Sequence, residues 1–289
     1  MMETRETCVI ARIRGNGVNG NGVSASDVID VSYLSLRDHA GRRLYGGNQN
    51  WWLSQVEKRP GKGFLAPYRL GRQEEAYRLA RLGCGVIAMT DLELYLKRRM
   101  ATELKAGEGA ADAPDLTQKD YESYAMQKWR SSYGISKSLL NYYTGLYPWK
   151  MEKGLRAFLK KGDFSRKCVK WAPFLTKPME KRRELTVKAI EDMLKEDYPV
   201  VFAYHTFHPK VHSLHLYGEL DRALKKEKAE RGDDTVASHY MTIIGLIRSK
   251  DGYVLQVESW GRIYYVRYEE YARKLNYFSN ILLIKREKA

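Results

Sequence analysis

The chain has 289 residues, a formal net charge of +15, 44% hydrophobic and 12% aromatic residues, and 3 cysteines. That is an ordinary globular composition, long enough for one large domain or two small ones with a real core. An odd cysteine count argues against a disulfide framework, and no stretch approaches the ~18 apolar residues of a membrane span.

No apolar run follows the N-terminal charges, so no signal peptide is expected, and the expectation is a soluble, cytoplasmic protein. The positive charge admits nucleic acid, anionic membrane or acidic polymer as partners. The basic runs Lys97-Arg98-Arg99 and Lys181-Arg182-Arg183 are interleaved with acids, however, and read as solvated faces. Nucleic acid is therefore disfavoured.

In chain order, residues 8–14 and 28–36 read as short strands. Between them stands a literal Gly15-x-Gly17-x-x-Gly20. A dinucleotide site needs a helix to begin at once, and Asn19-Gly20-Asn21-Gly22 is hairpin or loop chemistry instead, so no nucleotide cofactor is expected. Residues 45–56 carry a Gly46-Gly47 turn, then amides and Trp51-Trp52, and read as a loop anchored by its tryptophans. Residues 57–73 are basic and rich in Gly and Pro, a surface loop. EEAYRLARL then predicts a helix leading to Gly83.

The stretch 81–96 organises the rest. Gly83-Cys84-Gly85 opens a helix in which Ala88, Met89, Leu92, Tyr95 and Leu96 share one face, with Asp91, Glu93, Lys97 and Arg98 on the other. Cys84 thus falls at or just before a helix N-terminus, where the dipole stabilises a thiolate. The plainer reading is a small buried core cysteine.

Residues 105–120 are polar and rich in breakers, a loop. Residues 121–161 read as largely helical with aromatic packing positions, and 181–196 as an amphipathic helix with Leu185, Ala189, Met193 and Leu194 inward. Residues 199–205 form a buried strand. His205, His208, His212 and His215 follow, but Pro209 interrupts any helix that would align them and no carboxylate stands at ligand spacing, so no metal is expected. Residues 218–234 are charged and solvated.

The last segment decides the reading. Residues 238–247 make a strand opening on His239, Ser249–Gly252 a turn, and 253–261 a returning strand ending in Glu258-Ser259-Trp260-Gly261. Such a hairpin brings His239 and Glu258 to one end of a rigid sheet, which suits a base and the group that orients it.

A cysteine at a helix start, a distant histidine opening a strand, and Tyr253-Val254-Leu255-Gln256-Val257-Glu258-Ser259-Trp260-Gly261 together resemble the papain-like cysteine peptidases. Cys84-Gly85 followed by small and apolar residues looks more like the bacterial branch, the peptidases of double-glycine leaders and their stand-alone relatives. The resemblance covers residues 45–100 and 198–275. It implies an α+β papain-like fold, a helical half carrying the nucleophile packed on an antiparallel sheet half carrying His239 and Glu258. It implies one domain over 1–289, with 1–44 an N-terminal extension and 101–180 a helical and loop insertion.

By the same resemblance Cys84 is the nucleophile and His239 its ion-pair partner. Glu258 orients the imidazole by accepting a hydrogen bond from it, Trp260 shields that bond from water, and a glutamine completes the oxyanion hole. The chain departs from the family in having Glu258 where Asn or Asp stands, and Tyr77 where the glutamine stands. Gln49, Gln55 and Gln73 are the candidates; Gln49 is preferred because the flanking glycines and tryptophans would fix it against a cleft. The implied function is a cysteine peptidase or amidase acting on a peptide or protein through a thioester. An acyl transferase with the same residues, or an inactive module binding peptide or anionic polymer, are the alternatives.

Overall fold

A computed structural model describes residues 28–30, 34–56, 74–105, 116–134, 145–161, 167–206, 212–226 and 233–286. The strand expected at 8–14, the Gly15-x-Gly17-x-x-Gly20 segment, the 57–73 loop, Cys8 and His208 lie outside these residues. The fold is α+β. Among the described residues no helix is long and apolar enough to cross a membrane.

The centre is an antiparallel sheet built on one long strand, β9 (Ser238–Ser249). Its residues 238–243 pair with β6 (Val200–His205), and 245–247 with β1 (Val28–Asp30). Its other edge pairs with β10 (Gly252–Ser259), which pairs with β11 (Arg262–Arg267). Near-continuous apolar runs, Val200 to Tyr204 in β6 and Met241 to Ile247 in β9 broken only by Thr242 and Gly245, explain why both strands are buried on both faces. Val28–Asp30, within the segment expected as an N-terminal extension, is thus a strand of this sheet.

The hairpin between β9 and β10 is not regular. Gln256 pairs with Gly245 but Val257 pairs with Ile243, leaving Ile244 as one extra residue on β9. This bulge shifts the register by one, and a shift of one exchanges the faces to which side chains point.

Against the sheet packs α2 (Cys84–Lys105), following α1 (Glu74–Leu82) after a break at Gly83. The other side of α2 is covered by α3 (Gln118–Ser131) and α4 (Pro148–Lys161). With neighbours on both sides, the two carboxylates of its charged face are interior, Asp91 4% and Glu93 0% exposed, while Lys97 of that face is exposed. Both have partners that periodicity on α2 could not show. Glu93 accepts from the hydroxyls of Tyr124 and Tyr133 and pairs with Lys128 at 2.5 Å. Tyr124 and Lys128 belong to α3 and Tyr133 follows it; both α3 and α4, which lie within the region expected as an insertion, pack against α2.

Further along, α5 (Met179–Lys195) buries Ala189, Ile190, Met193 and Leu194, while Leu185 is only half-buried. Smaller sheets flank the central one: β2 (Ser35–Arg37) pairs with β3 (Arg43–Tyr45) and β4 (Leu116–Thr117), β5 (Lys167–Trp171) with β12 (Leu282–Arg286), and β7 (Leu214–Leu216) with β8 (Asp234–Val236). The basic runs are not free surface charge: Arg99 donates to the carbonyls of Glu196 and Asp197, and Arg182 to those of Leu175, Lys177 and Leu275.

Candidate active site

Cys84 is the first residue of α2. The Gly83 N–H donates to the Leu79 carbonyl, and its own carbonyl accepts from Ile87, so one glycine closes α1 and opens α2. A side chain there would strike the Leu79 carbonyl, which is why the break falls on Gly83. Gly85 leaves room for the Tyr240 ring and Leu146.

Cys84, Gln49, His239, Glu258 and Trp260, five residues from four separate parts of the chain, line one cleft of about 220 Å³. Gln49 opens a 3-10 helix (Gln49–Gln55) whose N-cap is Asn48, its side chain accepting from Asn50 N–H. The loop reading of 45–56 missed this helix. Its anchor is Trp52, 1% exposed, with Trp51 edge-on to Tyr121. The buried Gln49 Oε1 has no hydrogen-bond partner.

His239 is 6% exposed. Its Nε2 lies 2.7 Å from Ser259 Oγ, and its ring stacks on Trp260 with centroids 4.5 Å apart. Trp260 lies against the imidazole, but the Glu258 bond that it was expected to shield is replaced by one to Ser259. The bulge supplies the reason. Carried without interruption from Ser249 and Gly252, the hairpin would set Glu258 opposite Ile243, on the face of His239. With Ile244 extra, Glu258 sits opposite Thr242, and its neighbour Ser259 takes the face that His239 shares.

The turn that follows fixes Trp260. Ser259 pairs with Arg262, so Trp260-Gly261 is a two-residue hairpin loop, and both residues have positive φ, 52° and 73°. That region is natural for Gly261 and strained for a tryptophan.

Glu258 faces Asp91 instead, a residue of the charged face of α2. Asp91 lies two helical turns after Cys84 on α2, and its Oδ1 accepts from the Gly47 N–H at 3.0 Å and the Tyr121 hydroxyl at 2.7 Å. Gly46, at φ 68°, lies so close to the Glu258 carboxyl that a Cβ would strike it. Burial raises Asp91 from its ordinary 3.8 to about 6, opposed by its hydrogen bonds. Burial first, then the Asp91 charge, holds Glu258 well above the usual carboxylate range.

Burial also governs the other two groups. It raises the Cys84 thiol, although the backbone N–H groups of Tyr240, Gly85 and Cys84 itself turn toward the sulfur and oppose it. It lowers His239 from 6.5 to about 3. The expected thiolate–imidazolium pair is therefore replaced at rest by two neutral groups.

The histidine cluster is dispersed. His205 Nδ1 meets Ser238 Oγ at 2.9 Å, and His215 Nε2 meets Asp233 Oδ2 at 3.1 Å. Among the described residues no group of His, Cys, Asp and Glu could hold a metal ion. Asp91 and Ser259 are the cleft residues that sequence reasoning missed. Only the register of β9 on β10 and the enclosure of α2 reveal them. No protein-family model and no curated protein matches the chain.

Proposed function

We propose that the protein is a papain-like cysteine hydrolase, a peptidase or amidase acting through a thioester. The observation that carries this reading is the meeting of Cys84, at the start of a helix, with His239 and Gln49 in one cleft. With Nε2 given to Ser259, Nδ1 is the nitrogen left to take a proton; Nε2 must then carry its hydrogen and donate it to Ser259 Oγ.

The resting groups being neutral, attack is base-assisted. Nδ1 takes the thiol proton as the sulfur bonds to the carbonyl carbon. The oxyanion is held by the Cys84 backbone N–H and the Gln49 side-chain amide. The proton on Nδ1 passes to the leaving amine as the C–N bond breaks, and water then hydrolyses the thioester. The partner is a peptide or protein amide.

Enclosure of both neutral groups in a small cleft supports a second reading, a non-catalytic module of the same fold. Incubation with a panel of activated acyl esters and peptides, followed by intact-mass analysis, separates the two. Hydrolysis predicts an acyl adduct on Cys84 that is absent in Cys84→Ala and abolished in His239→Ala. Folded protein that never carries an adduct on Cys84 would establish the binding module.

A further inference from the structure

The two carboxyl groups at the floor of the cleft have no place in that chemistry. Asp91 is 4% and Glu258 5% exposed, and they face one another across the junction of α2 and β10. One oxygen of each, Asp91 Oδ2 and Glu258 Oε1, has no hydrogen-bond donor. Two anions cannot sit side by side in such a place, and two unsatisfied oxygens are costly there. A single proton between the groups removes both difficulties. Asp91 already receives the Gly47 N–H and the Tyr121 hydroxyl and is the better anion, so Glu258 is the member that carries the hydrogen.

The pair also joins the three elements that furnish the cleft. Asp91 belongs to the helix that starts at Cys84. Through Gly47 it holds the turn that leads by Asn48 into Gln49, and Gly46 in that turn rests on the Glu258 carboxyl. Glu258 belongs to the strand whose next residue bonds His239. We propose that Asp91 is the positioning residue of this cleft: it and Glu258 hold one proton between them, and this couple fastens the Gln49 turn and the His239 hairpin to the Cys84 helix. The positioning role rests on the hydrolytic reading; the shared proton does not.

The groups around the pair leave it as the titrating element. Tyr121 from α3 and Tyr95 on α2 are held neutral by burial, and so are Cys84 and His239. Among the described residues no lysine or arginine lines the cavities that contain the pair. Raising the pH withdraws the shared proton and sets two anions against each other. The carboxyls bind their proton more tightly folded than unfolded, so the stability they contribute is complete in acid and is lost as pH rises.

Infrared difference spectroscopy of the full chain tests the proton directly. A protonated-carboxyl band is expected at pH 7 in the wild type and absent in Glu258→Gln, whose amide donates to Asp91 without titrating. Hydrogen exchange at the Gly47 amide tests the positioning. It should stay slow in Asp91→Asn, which keeps the acceptor oxygen, and quicken by about tenfold or more in Asp91→Ala. No band at pH 7, the same band in Glu258→Gln, or fast Gly47 exchange in the wild type would overturn the proposal. Should Asp91→Ala fail to fold, the other two variants still decide. None of these readings depends on hydrolysis, so failure here and failure of the acyl-trapping experiment are distinguishable.

Discussion

At the scale of the residue, the charge carried by Cys84 and His239 determines how a reagent meets the cleft. A helix N-terminus suggests a low thiol pKa and a papain-like pairing suggests a ready thiolate, which would label rapidly at pH 6. Burial outweighs both here, raising the thiol and depressing the imidazole. Iodoacetamide at pH 6 is therefore expected to modify exposed Cys168 ahead of Cys84, with Cys84 catching up only as the pH is made alkaline. Mapping the labelled peptides over time checks this; Cys84 labelling first at pH 6 would restore the ion pair. Cys84, His239 and Gln49 were legible as site candidates because each sits in a local pattern, a Gly-flanked helix start, a strand opening and a Gly-Gly turn, whereas Trp260 entered only through the family resemblance. Asp91 was not, because helical periodicity says which residues share a face and nothing about how many faces are covered.

At the scale of the element, turns and register matter more than propensity. The helices at 74–82 and 179–195 and the strands of the last hairpin follow from periodicity and breakers, and they lie where those signals place them. The identity of the group bonded to His239 could not be read that way, since one unpaired residue, Ile244, decides between Glu258 and Ser259. The turn at Gly46 is a sharper constraint. A side chain at this position meets both a positive φ and the Glu258 carboxyl. Gly46→Ala is expected to cost about 1–3 kcal/mol, read as a lowered urea midpoint with an unchanged slope. An unaltered midpoint would mean that the Glu258 carboxyl is free to move away.

For the whole molecule, the buried groups oppose one another in their dependence on pH. His239 is neutral when folded and binds a proton more readily when unfolded, so the stability it contributes is complete above pH 6.5 and is lost as the pH falls toward 3. The Asp91–Glu258 pair has the opposite sign: the stability it contributes is complete below the ordinary carboxylate values of 3.8 and 4.5 and is lost as pH rises through the raised values of the folded state. Thermal midpoints are thus expected to peak in mildly acidic buffer. His239→Gln should flatten the acid side of that curve and Glu258→Gln the alkaline side; identical curves for all three proteins would assign the slopes elsewhere. The same architecture ranks the parts of the cleft by how long they endure. β9 is hydrogen-bonded along both edges, whereas Gln49 rides on a seven-residue 3-10 helix. Gentle warming should therefore dismantle the anion-stabilising arm while the imidazole stays seated. On the proposed chemistry, the protein would fall silent well before it melts and recover on cooling.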